Sequence, residues 1–361
     1  ILHYGDSPTT ADLITADVRQ LLQAQFGDAG HGYHLIAKPW AWYEHRGVDV
    51  TAEGWTSEPA TSGKVRDGMY GLGAVNFDGL PGAQARFSFR RLKTGVSQHD
   101  LVEIYGLRQS GGGTVVITAD GARVGELDTA SEQVEEAFAA FSIPLATRSV
   151  ELLVTRGPVR LFGVQFSRAT PGVIYSSLGV NGAFINVLSR AVNEAHWSRQ
   201  LQHADPDLVI INYGTNESVN DQFVDKQYER ELREAIRRVR TALPQASLLI
   251  MSPMDRGQRS ADGTIGTVPA LARVVTTQQR VAAETQCAFY NTFLAMGGPG
   301  TMGRWYEAEP RLVGADFIHP MPGGARIVGN LFYKALLDGY NKYKVRQLQR
   351  QFAPAPSAPP K

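Results

Sequence analysis

A parallel α/β sheet interrupted by an all-β module is the fold class that this sequence predicts, on three observations. The chain opens with a strand, a tight turn and a helix by about residue 38, and the alternation of strand and helix patterns resumes from about 169 to 345. Between about 45 and 168 lie short alternating runs with no helical period.

Each element has its own signal. Ile1-Leu2 leads into a Gly5-Asp6-Ser7 turn, and the following helix shows Val18, Leu21, Leu22 and Phe26 on one face before Gly27 ends it. The runs Ala85-Arg86-Phe87-Ser88-Phe89, Thr114-Val115-Val116-Ile117-Thr118 and Val150-Glu151-Leu152-Leu153-Val154 are separated by turn signals at 111–113, 120–121 and 157–158. Repeated short strands without helices predict a β-sandwich inserted after the first β-α unit. Strands follow near 173–178, 208–213, 247–252 and 287–290. A helix from about 222 to 243 carries Leu232, Ile236, Val239 and Leu243 inward, and its arginines read as a solvated face. A last helix from about 323 to 340 buries Ile327, Val328, Leu331, Phe332 and Leu336, so that His319 stands just ahead of it. The expected boundaries are 1–44 and 169–345 for a discontinuous α/β domain and 45–168 for the insertion. The Pro- and Ala-rich end, 346–361, is expected to be a disordered tail.

Bulk properties exclude several function classes. With 361 residues and 43% hydrophobic content the chain can bury a large core. Its 36 basic and 35 acidic side chains give no electrostatic case for nucleic acid, and no apolar run approaches the roughly 20 residues of a membrane helix. The single cysteine, Cys287, excludes an intramolecular disulfide and a cysteine-based zinc site, and its apolar surroundings suggest a buried strand. The start at Ile1, so close to a chemical motif, leads us to expect an upstream segment removed by processing, such as a signal peptide.

The chemistry is carried by residues far apart in sequence. A serine hydroxyl needs an imidazole to take its proton and a carboxylate to hold that imidazole's tautomer, and Ser7, His319 and Asp316 supply the three. Gly-Asp-Ser alone is also an ordinary turn with capping residues. Two glycine-bearing segments, Gly179-Val180-Asn181-Gly182 and Gly214-Thr215-Asn216-Glu217, each follow a predicted strand, where donors to an oxyanion are expected. In a parallel sheet such loops converge at the carboxyl ends of the strands.

Other signals weigh less. The run 298–303 matches a dinucleotide fingerprint formally, but a proline interrupts it and no helix is predicted after it. His31 and His34 have a metal-compatible spacing without acidic or cysteine partners, which favours structural histidines. Trp40, Trp42, Tyr43 and Trp55 cluster at the module junction, and Trp305 and Tyr306 precede Asp316. Sugar stacking and plain packing both suit these rings. Trp40, Trp42, Trp305 and Tyr306 are the candidate substrate contacts.

Taken in order, Gly5-Asp6-Ser7, Gly179 to Gly182, Gly214 to Asn216 and Asp316 to His319 resemble the four sequence blocks of the SGNH (GDSL-type) hydrolases. The resemblance implies a flavodoxin-like three-layer sheet, with Ser7 as nucleophile and first oxyanion amide. It further implies His319 as base, Asp316 as its partner, Asn216 as side-chain donor and Gly182 as second amide, a role that Gly179 could also claim. The family's third block usually ends Asn-Asp, whereas this chain has Asn216-Glu217. The layout, with its jelly-roll-like insertion, looks like bacterial peptidoglycan O-acetylesterases and related carbohydrate esterases, whose extra module resembles a carbohydrate-binding domain. The implied activity is removal of a small acyl group, acetyl, from an O-acylated polysaccharide or peptidoglycan, with no cofactor or metal and in a periplasmic or secreted location. Alternatives are an O-acetyltransferase using the same triad and a non-catalytic polysaccharide-binding protein.

Overall fold

The computed structural model describes residues 1–351 apart from 93, 94 and 97. Five strands form a wholly parallel sheet: β1 (Leu2–Gly5), β2 (Ser176–Gly179), β3 (Leu208–Asn212), β4 (Ser247–Met251) and β5 (Ala288–Tyr290). Their order across the sheet is β2-β1-β3-β4-β5, so the direction of winding reverses beside β1. Ligands of open α/β sheets bind outside the carboxyl ends of strands at such a reversal.

Helices cover both faces. α1 (Leu13–Phe26) and the last helix lie on one side, where Ile14, Val18, Val328 and Phe332 meet Ile210, Leu249 and Met251. α2 (Glu194–Ala204), α3 (Glu229–Ala242) and α4 (Leu271–Glu284) lie on the other, where Trp197, Leu232, Ile236 and Val274 meet Val209, Ile211, Leu248 and Ile250. Neighbouring strand residues point to opposite faces, which is why strands buried on both sides read as continuous apolar runs. Burying one such Leu or Ile contributes about 1.5–3 kcal/mol. The last helix, α5 (Pro322–Gln351), runs well past the expected end near 340 and takes in residues expected to belong to a disordered tail. Residues 352–361 lie outside the described residues. The last helix among the described residues is therefore longer than its buried stripe, and none of these helices is long and apolar enough to cross a membrane.

The β-rich region forms a nine-stranded sheet. The long strand Val75–Phe89 carries Val48–Pro59 along one edge; its other edge pairs first with Val159–Ser167 and then with Ser149–Arg156. Phe87 and Phe89 of the long strand pack against Phe166 at ring distances of 5.3 and 4.9 Å. Val159–Ser167 and Ser149–Arg156 are thus joined by backbone hydrogen bonds through one shared strand. The three-residue strand Gly32–His34, ahead of the expected boundary at 45, is hydrogen-bonded to Val164–Phe166 in this sheet. Polar bridges dock the region onto α2: Glu136 accepts from His196 at 2.8 Å and from Arg199 at 2.5 Å.

At the junction with α1, His31, His34, His45 and His99 are buried together beside the Arg19–Asp12 ion pair. His31 Nδ1 lies 3.1 Å from His99 Nε2, and the His34 and His45 rings are 3.9 Å apart. Burial lowers His34 to about 3 and His99 to about 4, and pushes His31 and His45 well below the usual imidazole range. Among the described residues no group of three or more His, Cys, Asp or Glu is arranged to hold a metal ion.

Candidate active site

Strand register brings the glycine-bearing loops to the serine. Gly5 pairs with Gly179 of β2 and with Asn212 of β3, so the chain leaves all three strands at the same level. Ser7 opens a one-turn helix, Ser7–Thr10, with Pro8 in its first turn, where a missing N–H costs nothing. A Cβ on Gly179 would sit 2.0 Å from the Thr10 amide nitrogen, so only glycine lets this turn rest on the edge strand.

His319 Nε2 is 2.7 Å from Ser7 Oγ, and His319 Nδ1 is 2.6 Å from Asp316 Oδ2. The other oxygen, Asp316 Oδ1, accepts from the Ile318 and His319 amides at 3.0 and 3.1 Å. Phe317 adopts a left-handed φ of 57° between them, which closes the loop tightly enough for one carboxylate to hold both the backbone and the ring. Partial burial works to raise the Asp316 carboxyl, but these hydrogen bonds prevail and hold it below the usual range. It therefore stays ionised at neutral pH.

The two remaining blocks are fastened to each other. Asn216 Nδ2 donates to the Ala183 carbonyl at 3.0 Å, and the Ile185 amide donates to Glu217 Oε1 at 2.7 Å. Gly182 stands at the head of this segment with φ 68°, and a Cβ there would meet nothing within 4 Å. Gly182 thus borders open space, whereas Gly179 is pressed against the Ser7–Thr10 turn. Glu217 is completely buried, its Oε2 has no hydrogen-bond partner, and burial pushes its carboxyl up to about 8. Asp6 is buried as well and pushed up to about 6 by burial, against the pull of the Thr215 hydroxyl, His319 and Arg256. Arg256 Nη1 donates to the Thr215 carbonyl at 2.8 Å.

The candidate substrate contacts separate. Trp42 is 52% exposed, and its Nε1 donates to Asn181 Oδ1 at 3.1 Å, beside Gly182. Trp40 is partly buried against the core. Trp305 is only 8% exposed and packs in the core, so of the two roles open to it packing is the one it takes, and it is not a substrate contact. Its burial follows from the helix Thr301–Glu307, which opens inside the 298–303 segment where no helix was expected. Tyr306, on the same helix, is half-buried and meets Phe317 edge-on at 4.9 Å. The sequence motifs contain Asp6 and Glu217 but do not show their burial, and nothing in them points to Arg256. The one available signal was the glutamate in place of the family's usual aspartate after Asn216.

The model of the GDSL-like lipase/acylhydrolase family matches residues 147–327, a span that holds Gly182, Asn216, Asp316 and His319 but not Ser7. A peptidoglycan O-acetylesterase structure shares the fold, with TM-score 0.78, 23% identity, and 94% of this chain and 91% of that chain covered. Two more distant matches are a Bacillus subtilis protein (TM-score 0.35, 14% identity, 79% of this chain and 88% of that chain) and an acetylxylan esterase from Geobacillus stearothermophilus (TM-score 0.33, 18% identity, 44% and 70%). Comparison with curated proteins finds no match.

Proposed function

The chain belongs to the GDSL-like lipase/acylhydrolase family, and from that premise we propose that it removes acetyl groups from the hydroxyls of a carbohydrate polymer such as peptidoglycan through an acyl-Ser7 intermediate. The observation that carries this reading is the continuous relay from Ser7 Oγ through His319 to Asp316, at 2.7 and 2.6 Å. It is an esterase, and the residues define the steps. His319 Nε2 takes the Ser7 proton as Oγ attacks the ester carbonyl, while Asp316 holds the Nδ1 proton in place. The oxyanion lies toward the Ser7 and Gly182 amides and the second Nδ2 hydrogen of Asn216. Each such donor is worth on the order of 10²–10³ in turnover. His319 returns its proton to the departing sugar oxygen, then activates a water that releases acetate from Ser7.

The polymer assignment draws on the likeness of the whole chain, β-rich region included, to a peptidoglycan O-acetylesterase fold. Exposed Trp42, beside Asn181 and Gly182, is suited to stack on a sugar ring next to the reacting ester. The β-rich region, as an inserted carbohydrate-binding sandwich, would hold more distant sugars. On this reading the enzyme works where its polymer lies, outside the cytoplasm, in the periplasm or secreted. The test is acetate release from O-acetylated peptidoglycan by the wild type and by Ser7→Ala, whose turnover should be lower by roughly 10⁴. A serine-directed phosphonate should add its mass at Ser7. Labelling at another serine, or near-normal Ser7→Ala turnover, refutes the mechanism; no acetate from any polymer refutes the substrate.

A further inference from the structure

The arginines of this chain differ in whether a carboxylate stands beside them, and those without one among the described residues, such as Arg66, Arg148 and Arg304, occur in several places. On the α3–α4 face, Arg230, Arg233, Arg237, Arg273 and Arg280 each lie within salt-bridge distance of a carboxylate, so that surface is internally neutralised. Beside the catalytic loop the pattern reverses. Among the described residues, Arg256, Arg259 and Arg311 form no ion pair at all.

These three side chains are positioned by the active site's own elements. The Gly257 amide donates to the Phe317 carbonyl at 2.9 Å, which seats the strand Gly257–Arg259 against the Asp316–His319 turn. Arg259 then lies over the Phe317 ring at 5.1 Å and near Tyr306 at 5.9 Å, while Arg311 lies over Tyr306 at 4.3 Å. Arg259 Nη1 donates to the Gly263 carbonyl at 3.0 Å. Arg256 is half-buried, and its bond to the Thr215 carbonyl leaves the rest of the guanidinium without a partner among the described residues. The carboxylates that act on it are Asp6 and Asp316, both at the catalytic site. A guanidinium kept partly out of water without a carboxylate of its own, three residues ahead of Arg259 with its aromatic backing, has the donors and charge to bind an anion.

We infer that Arg256, Arg259 and Arg311, with Tyr306 and Phe317 as backing, form a carboxylate-binding subsite beside the triad, so that the preferred substrate is an acidic acylated glycan. This rests on the proposed glycan esterase activity and adds the charge of its substrate. The ring faces keep the guanidinium planes in place, leaving their edges to meet a carboxylate two-pronged.

The test compares O-acetylated polygalacturonate with O-acetylated glucomannan, which is neutral. The ratio of kcat/KM on the acidic to that on the neutral polymer should exceed one in the wild type and fall as salt is raised. Arg259→Gln with Arg311→Gln, and separately Arg256→Gln, should each lower that ratio about tenfold, the worth of one charge-assisted hydrogen bond. O-acetylated muropeptides with and without their stem peptide separate a peptide carboxylate from a sugar carboxylate as the group held. A second arm stands apart from the polymer reading: unacetylated oligogalacturonate should inhibit p-nitrophenyl acetate hydrolysis competitively, with an inhibition constant about tenfold higher in the variants. Release of no acetate from any polymer would refute the proposed function alone, with the inhibition arm still deciding the subsite. An unchanged inhibition constant in both variants overturns the subsite.

Discussion

Glu217 offers a test in which stability and architecture are read from one substitution. Its carboxyl stands at about 8 against an ordinary 4.5, because it is buried and only Oε1 has a partner, the Ile185 amide at 2.7 Å. The sign follows from proton counting. Between pH 4.5 and 8 the unfolded chain has released this proton while the folded protein retains it, so stability falls by about 1.4 kcal/mol for each pH unit in that window. By pH 7 the accumulated cost is about 3 kcal/mol, a large share of the 5–15 kcal/mol typical of a folded domain. Glu217→Gln keeps an acceptor for the Ile185 amide and carries no charge. It should therefore match the wild type near pH 4.5, be more stable by about 3 kcal/mol at pH 7, and lose the slope between. Urea unfolding followed by tryptophan fluorescence at pH 5, 7 and 8.5 measures this directly. A Gln variant with the wild-type slope would mean that Glu217 is not held protonated, and the reasoning from its burial would fail. Glu217→Ala, by contrast, strands the buried Ile185 amide and should cost about 1–3 kcal/mol.

Two further outcomes are expected. Asp316→Asn should reduce ester hydrolysis less than His319→Ala, because the base survives though its tautomer is disturbed, and the ratio of the two losses with p-nitrophenyl acetate checks it. The buried histidines act oppositely to Glu217: their folded values lie below the unfolded 6.5, so their contribution is present above pH 6.5 and is lost as pH falls, by about 1.4 kcal/mol per unit for each of His34 and His99. His99→Phe, whose ring would pack on Phe89 and Phe166, should shrink the loss between pH 6.5 and 5.5 by about 1 kcal/mol in urea unfolding; an unchanged loss would show that His99 is not held neutral.

What could be read from the sequence was whatever depends on neighbours in the chain. β3 and β4 announce themselves as apolar runs bounded by turns, and the proposed triad of Ser7, His319 and Asp316 stands in short motifs whose chemistry is recognisable residue by residue. What could not be read depends on distant partners. Gly32–His34 is three residues long and begins with glycine, so nothing local marks it as a strand; it exists because Val164–Phe166 offers an edge. Trp305 looks like a loop aromatic until the Thr301–Glu307 helix turns it into the core. Nothing next to Glu217 in the chain marks it as buried, and the approach of the Ile185 amide gives the buried carboxyl a partner there.

The pairing of Gly32–His34 with Val164–Phe166 also bears on how β1 finds its place. Ile1 and Ile174, joined by a hydrogen bond, are 173 positions apart, so closing β1 onto β2 in an unstructured chain means closing a very long loop. The two ends of the intervening region are fastened, however: the Val173 amide donates to the Gly27 carbonyl at 2.9 Å and the Ala29 amide to the Val173 carbonyl at 3.4 Å. Once that neck is zipped, the loop left to close is roughly 25 residues, and the entropy of closure falls by about 2 kcal/mol. Delivering the strand that leads into Ser7 to the sheet then costs little more than forming an ordinary β-α-β crossover.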